Sequence, residues 1–268
     1  RPMRPHAPVF AALLLGACMS STEPAAGAAP EFAGLRHLED PRLHRLIQAS
    51  PRVFSGGAPD DPSAFAALAE HGIRTIVSVD GALPDAETAR AYGLRTVHLP
   101  FGYDGIPEDA VLAIARVLAE TDGAVYFHCH HGQHRGPAAA AIALRLDTGC
   151  TGAEAMDLLR FAETDPRYAG LWQAVERFSP PAPGTPLPEL HERATLPGFT
   201  QGMARLDRDW DRLKEVRAAG WTPPAAHPDL VPVNEARIVA ETLAALDACL
   251  PQELEADAEF LRRLRAVQ

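Results

Sequence analysis

The residues most suited to chemistry lie together in one short segment. Positions 128 to 136 read HCHHGQHRG, in which Cys129 is flanked by four histidines and Arg135 follows six positions after the cysteine. Two kinds of site use such residues. A thiol and several imidazoles are ligands for zinc or copper. Alternatively, Cys129 is a nucleophile and the rest of the segment binds an anion in front of it.

The spacing between Cys129 and Arg135 favours the nucleophile. A strand ending near His128 and a helix beginning near Arg135 would direct the loop amides and the helix N-terminus at one anion. The planar guanidinium can bind two phosphate oxygens at once. The same surroundings lower the pKa of a cysteine from about 8.5 to between about 3.5 and 7.5. A Cys129 thiolate facing a bound phosphoryl group would permit catalysis through a phosphocysteine.

Ligand spacing disfavours a metal site in this segment, although a His/Cys metal-binding protein stays the least favoured alternative. The candidate ligands are adjacent in one tight loop, and no second Cys or His pair completes a tetrahedral set. The cation of Arg135 would also oppose a metal ion. We therefore expect neither a metal nor a cofactor. His130, His131 and His134 would then surround the rim of the anion site and add positive potential when protonated.

The segment resembles the H-C-x-x-G-x-x-R signature of the cysteine-dependent protein tyrosine phosphatase superfamily, particularly its dual-specificity-like bacterial branch. His128, Cys129, Gly132 and Arg135 match the signature. The resemblance covers about positions 52 to 178, half of the chain, and includes VFSGGAP, which is similar to the first strand and turn of many bacterial members. It implies a phosphomonoester hydrolase that acts on a phosphorylated protein or a small phosphomonoester.

The resemblance also implies a role for each matching residue. Cys129 would attack phosphorus, Arg135 would bind the phosphate and stabilise the transition state, and His128 would help to set the pKa and orientation of the thiolate. Members of the family usually carry Ser or Thr after the arginine, where the hydroxyl assists loss of the cysteine, but this chain has Gly136. A non-catalytic phosphate-binding module is therefore the alternative function. The amides lining the phosphate site would come from His130, His131, Gly132, Gln133, His134 and Arg135.

The family places a general acid on a loop upstream of the cysteine, and such an acid contributes about 10² to 10⁴ in rate. Asp104 in PFGYDGIPEDA resembles a D-G-x-x-P form of this loop, with the proline one position earlier. Asp109 is a rival, but it falls in the first turn of a helix, where an acid complements the helix dipole. Asp80, at the end of TIVSVD, is a third candidate and could instead cap the next segment.

Strand and helix patterns alternate around the signature. Short β-branched runs such as RVFSG, IRTIVSVD and AVYFHC alternate with helical patterns that end at Gly72, Gly93 and Gly123. This alternation predicts an α/β fold with a mostly parallel central sheet flanked by helices. The resemblance makes that fold tyrosine phosphatase-like, in a domain spanning 51–178.

The sequence changes character after this domain. Positions 179–198 include SPPAPGTPLP and predict a stiff linker. Positions 199–268 have apolar residues at helical spacing and no strand candidate, which predicts a small all-helical C-terminal region. Five apolar residues are expected in its core: Trp210, Leu213, Val216, Leu243 and Leu246.

The amino-terminal segment, 1–18, resembles a signal peptide. Arg1 and Arg4 precede VFAALLLGA, an apolar run too short for a permanent membrane span. The sequence LGAC resembles the lipobox of bacterial lipoproteins, in which Cys18 would carry the lipid. An ordinary cleaved signal is the alternative. We expect an exported, periplasmic protein held at the membrane only through Cys18, with 19–50 as tether and lead-in.

Net charge and cysteine content limit the possible partners. The 268 residues carry a formal net charge of −10, which argues against nucleic acid or an anionic membrane surface as the principal partner. Lys214 is the only lysine of the sequence, which excludes a Gly-Lys-Ser/Thr phosphate loop. Cys150 and Cys249 are either small apolar core residues or a disulfide between the two domains.

Overall fold

A mixed six-stranded β-sheet forms the centre of the fold in the computed structural model, which describes residues 34–266. The strands are β1 (Arg36–His37), β2 (Ile47–Gln48), β3 (Val53–Gly56), β4 (Ile73–Ser78), β5 (Arg95–His98) and β6 (Ala124–His128). Their order is β1-β2-β3-β6-β4-β5. The strand β2 pairs antiparallel with both β1 and β3, whereas β3, β6, β4 and β5 pair in parallel. Gly56 and Ser78 both pair with His128, so three parallel strands end side by side.

Helices cover both faces of this sheet. They are α1 (Pro62–Glu70), α2 (Ala86–Ala91), α3 (Glu108–Glu120), α4 (Arg135–Thr148), α5 (Gly152–Phe161) and α6 (Ala169–Arg177). Val125 and Phe127 pack in a core with α3 to α6, whereas Ala124 and Tyr126 pack in a second core with α1 and α2. This alternation follows from the period of two along a strand. The predicted α/β class with a mostly parallel, helix-flanked sheet is confirmed.

Two strands lie in the segment that the sequence assigned to the tether and lead-in. β1 and β2 extend the sheet beyond β3, and the nearby Leu43 and Leu46 are buried in the core that contains α1. Strands of two residues are too short to show a periodic pattern, which is why the sequence did not predict them. The predicted signal segment and Cys18 lie outside the described residues.

The Pro-rich linker has no helix or strand and lies along the α/β domain. The His98 amide donates to the carbonyl oxygen of His191 at 2.9 Å, and Arg116 donates to the carbonyl of Pro188 at 2.8 Å. Arg90 on α2 forms an ion pair with Glu192 at 2.8 Å. These contacts attach the linker to the domain surface.

The C-terminal region is helical, as the sequence predicts. Its helices are α7 (Gly198–Ala218), α8 (Pro232–Asp247), α9 (Gln252–Glu255) and α10 (Ala258–Ala266). Val216 and Leu246 are buried, but Trp210 is 51% exposed, so its expected place in the core is wrong. None of the helices in residues 34–266 is long and apolar enough to cross a membrane. Cys150 and Cys249 are free thiols.

Candidate active site

Cys129 lies at the point where the central strand β6 ends. The loop from Cys129 to His134 then connects this strand to α4, which begins at Arg135. The cysteine is only 4% exposed. A Cβ atom added to Gly136 would lie 3.0 Å from the Cys129 nitrogen. The first turn of α4 therefore lies directly against the cysteine, with its free amides at the same end of the sheet.

Gly132 allows the loop to lie against the turn that follows β3. Its φ is +69°, and a Cβ atom there would lie 2.2 Å from the carbonyl carbon of Gly56. The turn is tied to the loop because the Ala58 amide donates to the His130 carbonyl at 3.0 Å. The buried Tyr126 hydroxyl donates to the Gly57 carbonyl at 2.6 Å. The two sequence motifs, VFSGGAP and HCHHGQHRG, thus form one packed unit.

Asp80 fixes both the arginine and the loop backbone. Its Oδ2 lies 3.2 Å from Nη2 of Arg135, with the two side chains 6% and 12% exposed. The same oxygen accepts a hydrogen bond from the His130 amide at 2.7 Å, and Oδ1 accepts one from the Ala82 amide at 2.9 Å. Burial alone would raise the pKa of Asp80, but the charge of Arg135 and the Ala82 amide outweigh it and lower the pKa. The carboxylate is ionised at neutral pH.

Arg135 is held in one orientation by further contacts. Its Nη1 lies 3.4 Å from the Phe101 carbonyl oxygen and 3.5 Å from that of Val79. Burial alone would lower the pKa of Arg135, but the charge of Asp80 outweighs it and raises the pKa. A fixed guanidinium beside a buried cysteine is a suitable ligand for an oxyanion.

Aromatic rings lie beside this guanidinium. The ring centre of Tyr103 lies 4.7 Å from Cζ of Arg135, and the ring stacks on Tyr168 with centroids 4.3 Å apart. The ring of His134 lies 4.7 Å from that of Tyr168. These rings present flat apolar surface next to the candidate phosphate site.

Residues in the connection between α5 and α6 form hydrogen bonds with the loop between β6 and α4. The Gln133 side chain donates to the Glu163 carbonyl at 3.0 Å, and the Thr164 hydroxyl donates to the Gln133 carbonyl at 2.7 Å. The Asp165 amide donates to Nδ1 of His134 at 3.4 Å. The loop is therefore held at several points before any ligand binds, which preorganises its amides.

His128 is buried and neutral at physiological pH. Burial lowers its pKa to about 4, and its ring stacks on Tyr126 at 5.9 Å between centroids. Its Nδ1 makes no hydrogen bond to any residue between 34 and 266. An effect of His128 on the Cys129 thiolate therefore has to act through position and polarity, since the imidazole carries no charge at pH 7.

The three candidate acids occupy different environments. Asp104 is exposed, follows Tyr103 directly, and lies in a loop that packs on the first turn of α6, where a Cβ on Gly170 would lie 2.2 Å from the Asp104 carbonyl oxygen. Asp109 accepts a hydrogen bond from the Ala110 amide at 2.9 Å in the first turn of α3. Asp80 forms a salt bridge with Arg135. Of the three, Asp104 alone is an exposed loop carboxyl beside the aromatic rings.

Two of the predicted rim histidines contact the C-terminal region. Nε2 of His130 lies 2.9 Å from Oδ2 of Asp211 on α7, and Nε2 of His131 lies 3.6 Å from the same oxygen. Only His134 lies among the aromatic rings beside Arg135. The helices beyond the linker thus reach the phosphate loop.

Sequence reasoning missed several residues of this site. Tyr103 directly precedes the candidate acid Asp104, but it belongs to no recognisable motif. Tyr168 and Asp211 come from elements whose positions depend on tertiary packing. Asp80 was considered as an acid or as a cap of the next segment and not as the partner of Arg135, although a polar residue just beyond the carboxyl end of a central parallel strand was a usable signal.

Comparison with known proteins gives sequence similarity over half of the chain. Over 138 residues it is 33% identical to the dual specificity protein phosphatase TpbA of Pseudomonas aeruginosa, covering 51% of this chain and 61% of that protein. TpbA from a second strain is 32% identical over 138 residues, which again cover 51% of this chain and 61% of that protein. The chain thus spans about three fifths of the length of these curated relatives. No family model matches the chain.

Several solved structures match part of the chain. A crystal structure of P. aeruginosa TpbA is 26% identical, with 52% of this chain and 94% of that chain covered and a TM-score of 0.39. A Cys-to-Ser variant of TpbA in complex with pTyr is 22% identical, with 58% and 100% covered and a TM-score of 0.40. A putative phosphatase from Shewanella putrefaciens is 20% identical, with 50% and 89% covered and a TM-score of 0.39.

Proposed function

We propose that the chain is a phosphomonoester hydrolase of the cysteine-dependent protein tyrosine phosphatase superfamily, similar to its dual-specificity members. One observation carries the proposal: the buried Cys129 begins a loop that ends at Arg135, whose side chain is 12% exposed and is held by Asp80 at 3.2 Å. The sequence similarity to TpbA, which extends over 138 residues, supports the same activity.

In the proposed mechanism, the Cys129 thiolate attacks phosphorus opposite the leaving oxygen. The S–P bond forms as the P–O bond breaks, and Asp104 gives its proton to the leaving alkoxide or phenoxide. Water then attacks the phosphocysteine and gives a proton to the Asp104 carboxylate, the O–P bond forms as the S–P bond breaks, and inorganic phosphate and the thiolate are released. Arg135 and the loop amides bind the non-bridging oxygens in both steps.

The rings beside Arg135 support an aromatic leaving group. Tyr103 stacks on Tyr168 next to the candidate phosphate site, and the ring of His134 is inclined to that of Tyr168 by 56°. A phosphotyrosine ring stacked there would gain offset-stacking and edge contacts that a serine phosphate cannot make. We propose phosphotyrosine in a protein, or a small aryl phosphate, as the substrate.

Hydrolysis of p-nitrophenyl phosphate with and without EDTA tests the proposal. We expect turnover that survives chelation and disappears in Cys129→Ser, because the thiolate and no metal supplies the nucleophile. Loss of turnover with EDTA would instead indicate a metal-dependent hydrolase. Absence of turnover in the wild type, with phosphate still bound, would indicate a binding module.

The role of Asp104 is tested by the pH dependence of kcat/KM, which reports the steps up to formation of the phosphocysteine. A general acid produces the basic limb of this profile, because its deprotonation stops the transfer. Asp104→Asn should lose that limb and lower kcat/KM by about 10² or more. Asp109→Asn is the matched control. If Asp104→Asn keeps the basic limb of its pH profile, another residue is the general acid.

A phosphate-binding module is the second candidate, and Gly136 is the observation that favours it. The hydroxyl that family members use to release the cysteine is absent at this position. A protein that forms the phosphocysteine but hydrolyses it slowly would act as a phosphate sensor. Isothermal titration with inorganic phosphate, alongside the turnover assay, distinguishes the two functions.

We further propose that the chain is exported and anchored in the periplasm through lipid on Cys18. The support is the run VFAALLLGAC in the sequence. Mass spectrometry of the membrane fraction should show a lipid-modified amino terminus at Cys18, and Cys18→Ala should shift the protein to the soluble periplasmic fraction. An ordinary cleaved signal would give soluble protein in both cases.

A further inference from the structure

We propose that His130, His131 and Asp211 form a binding site for one divalent transition-metal ion, such as Zn²⁺, which joins the phosphate loop to helix α7. One potential ligand atom from each residue lies within 4.8 Å of the others. Two imidazoles and one carboxylate are a common ligand set for zinc and related ions. This site is separate from the chemistry proposed for Cys129 and needs no hydrolase activity.

Two of the three separations between the ligand atoms are close to those around a small ion. Oδ2 of Asp211 lies 2.9 Å from Nε2 of His130 and 3.6 Å from Nε2 of His131. Ligands at about 2.0 to 2.2 Å from a tetrahedral ion lie about 3.3 to 3.6 Å from one another. Shifts of a few tenths of an ångström at His130 would therefore admit the ion, and a water molecule would complete the tetrahedron.

The fold removes the two objections that ligand spacing raised in the sequence. The loop bends so that the adjacent rings of His130 and His131 tilt by 47° with centroids 4.3 Å apart, which lets both face one point. The missing third ligand comes from Asp211, 81 positions after His130, in a helix that the motif does not include. Only tertiary folding brings these residues together.

Surrounding groups hold the proposed ligands in place. Lys214 pairs with Oδ1 of Asp211, which leaves Oδ2 directed at the two imidazoles. Ligating carboxylates are usually fixed by such a second contact. Asp80 holds the backbone of His130 through the amide at 2.7 Å.

An ion at this site would tie the α/β domain to its C-terminal helices. His130 and His131 belong to the phosphate loop, whereas Asp211 belongs to α7. Because the ion binds the folded arrangement and not the unfolded chain, it should stabilise that arrangement. The docking of α7 onto the loop would then depend on metal supply.

Metal titration of the full chain in a Cys129→Ser background tests the site, because that variant removes the reactive thiol as a competing ligand and has no phosphatase turnover. We expect one Zn²⁺ per chain by isothermal titration and an increase in Tm on addition of Zn²⁺. Bound Co²⁺ should give tetrahedral d–d absorption without a thiolate charge-transfer band. His131→Ala and Asp211→Asn should each weaken Zn²⁺ binding by tenfold or more and abolish the Tm increase.

Matched controls separate ligand loss from structural damage. His131 is half exposed, so its truncation should leave the circular dichroism spectrum and the metal-free Tm unchanged. Asp207→Asn, on the exposed surface of the same helix, and the exposed His191→Ala should bind Zn²⁺ like the parent. No saturable binding by the parent, or equal affinity in His131→Ala and the parent, would overturn the proposal, whatever the outcome of the hydrolase assay.

Discussion

Arg135 and Asp80 form a buried salt bridge in which one carboxylate oxygen serves two partners. Oδ2 of Asp80 lies 3.2 Å from the guanidinium and also accepts the His130 amide at 2.7 Å. The guanidinium of Arg135 and the backbone of the loop between β6 and α4 are therefore fixed by the same atom. Preorganisation of both groups before a phosphate arrives is what an anion site requires.

Asp80→Asn should weaken both anion binding and stability. The amide cannot hold Arg135 by charge, and breaking a buried ion pair by loss of one partner costs about 3 to 5 kcal/mol. Because Asn retains one acceptor oxygen, we expect the lower end of that range in urea unfolding. Affinity for inorganic phosphate should fall by tenfold or more, whereas the exposed Asp109→Asn should change neither property. Unaltered phosphate affinity in Asp80→Asn would show that Arg135 is positioned by other contacts.

The sequence predicted the architecture well because local patterns determine most of it. Gly72 and Gly93, predicted to end helical segments, follow α1 and α2 with φ values of +79° and +72°. The loop between His128 and Arg135 follows from the same patterns. These features depend on neighbours in sequence, which is why they could be predicted.

The parts of the site that the sequence did not predict depend on long-range packing. Tyr168 reaches Tyr103 only because α6 folds back beside the acid loop. Asp211 reaches His130 across 81 positions, and no short-range pattern encodes that contact. Trp210 has the helical spacing of a core residue, but it is 51% exposed on α7.

Stability should rise with pH between about 4 and about 6.5 because of His128. Burial lowers the pKa of His128 to about 4, so over this interval the unfolded chain binds a proton that the folded chain does not. The stabilisation from the neutral ring is present above the unfolded pKa and is lost as the pH falls toward the folded one. The two pKa values correspond to about 3 kcal/mol across the interval.

Urea unfolding of the wild type and His128→Gln over this pH range measures the effect. The variant should lose most of the slope, although the buried His98, whose pKa burial also lowers, should leave a smaller slope of the same sign. His191→Gln, at an exposed position, should keep the full slope. If the free energies of unfolding of His128→Gln and the wild type change with pH in parallel, another group takes up the proton.

Gly132 should tolerate a side chain far less than Gly149 does. Both have nearly the same φ, +69° and +70°, but a Cβ on Gly132 would lie 2.2 Å from the Gly56 backbone, whereas one on Gly149 meets nothing within 4 Å. Gly149→Ala should cost only the left-handed strain, about 1 to 2 kcal/mol. Gly132→Ala should cost more and abolish hydrolysis, as urea unfolding and the p-nitrophenyl phosphate assay would show. Equal losses in the two variants would mean that the β3 turn moves away freely.

Tyr103 should contribute to the preference for aromatic phosphates. Its ring lies 4.7 Å from Arg135 and stacks on Tyr168. Tyr103→Ala should lower kcat/KM for p-nitrophenyl phosphate by about tenfold, because an aromatic pair contributes about 0.5 to 1.5 kcal/mol beyond area burial. The loss for glycerol phosphate should be smaller, and Tyr103→Phe should retain the preference. Tyr92→Ala is a control, because Tyr92 is 39% exposed and Tyr103 is 40% exposed. If Tyr103→Ala loses the same factor in kcat/KM for both substrates, ring stacking is not the cause.

Gly136 should make breakdown of the phosphocysteine the slow step. Without a hydroxyl at this position, p-nitrophenol release should show a burst of about one equivalent per Cys129 before the steady state. A Cβ at position 136 would lie 3.0 Å from the Cys129 nitrogen and 3.1 Å from Cα of His128, so a serine requires the first turn of α4 to shift slightly. Gly136→Ser should shrink the burst and raise the steady-state rate, whereas Gly136→Ala adds the same Cβ without the hydroxyl and should keep the burst. If both variants behave alike in stopped-flow measurements, the packing of α4 controls the second step and the hydroxyl does not.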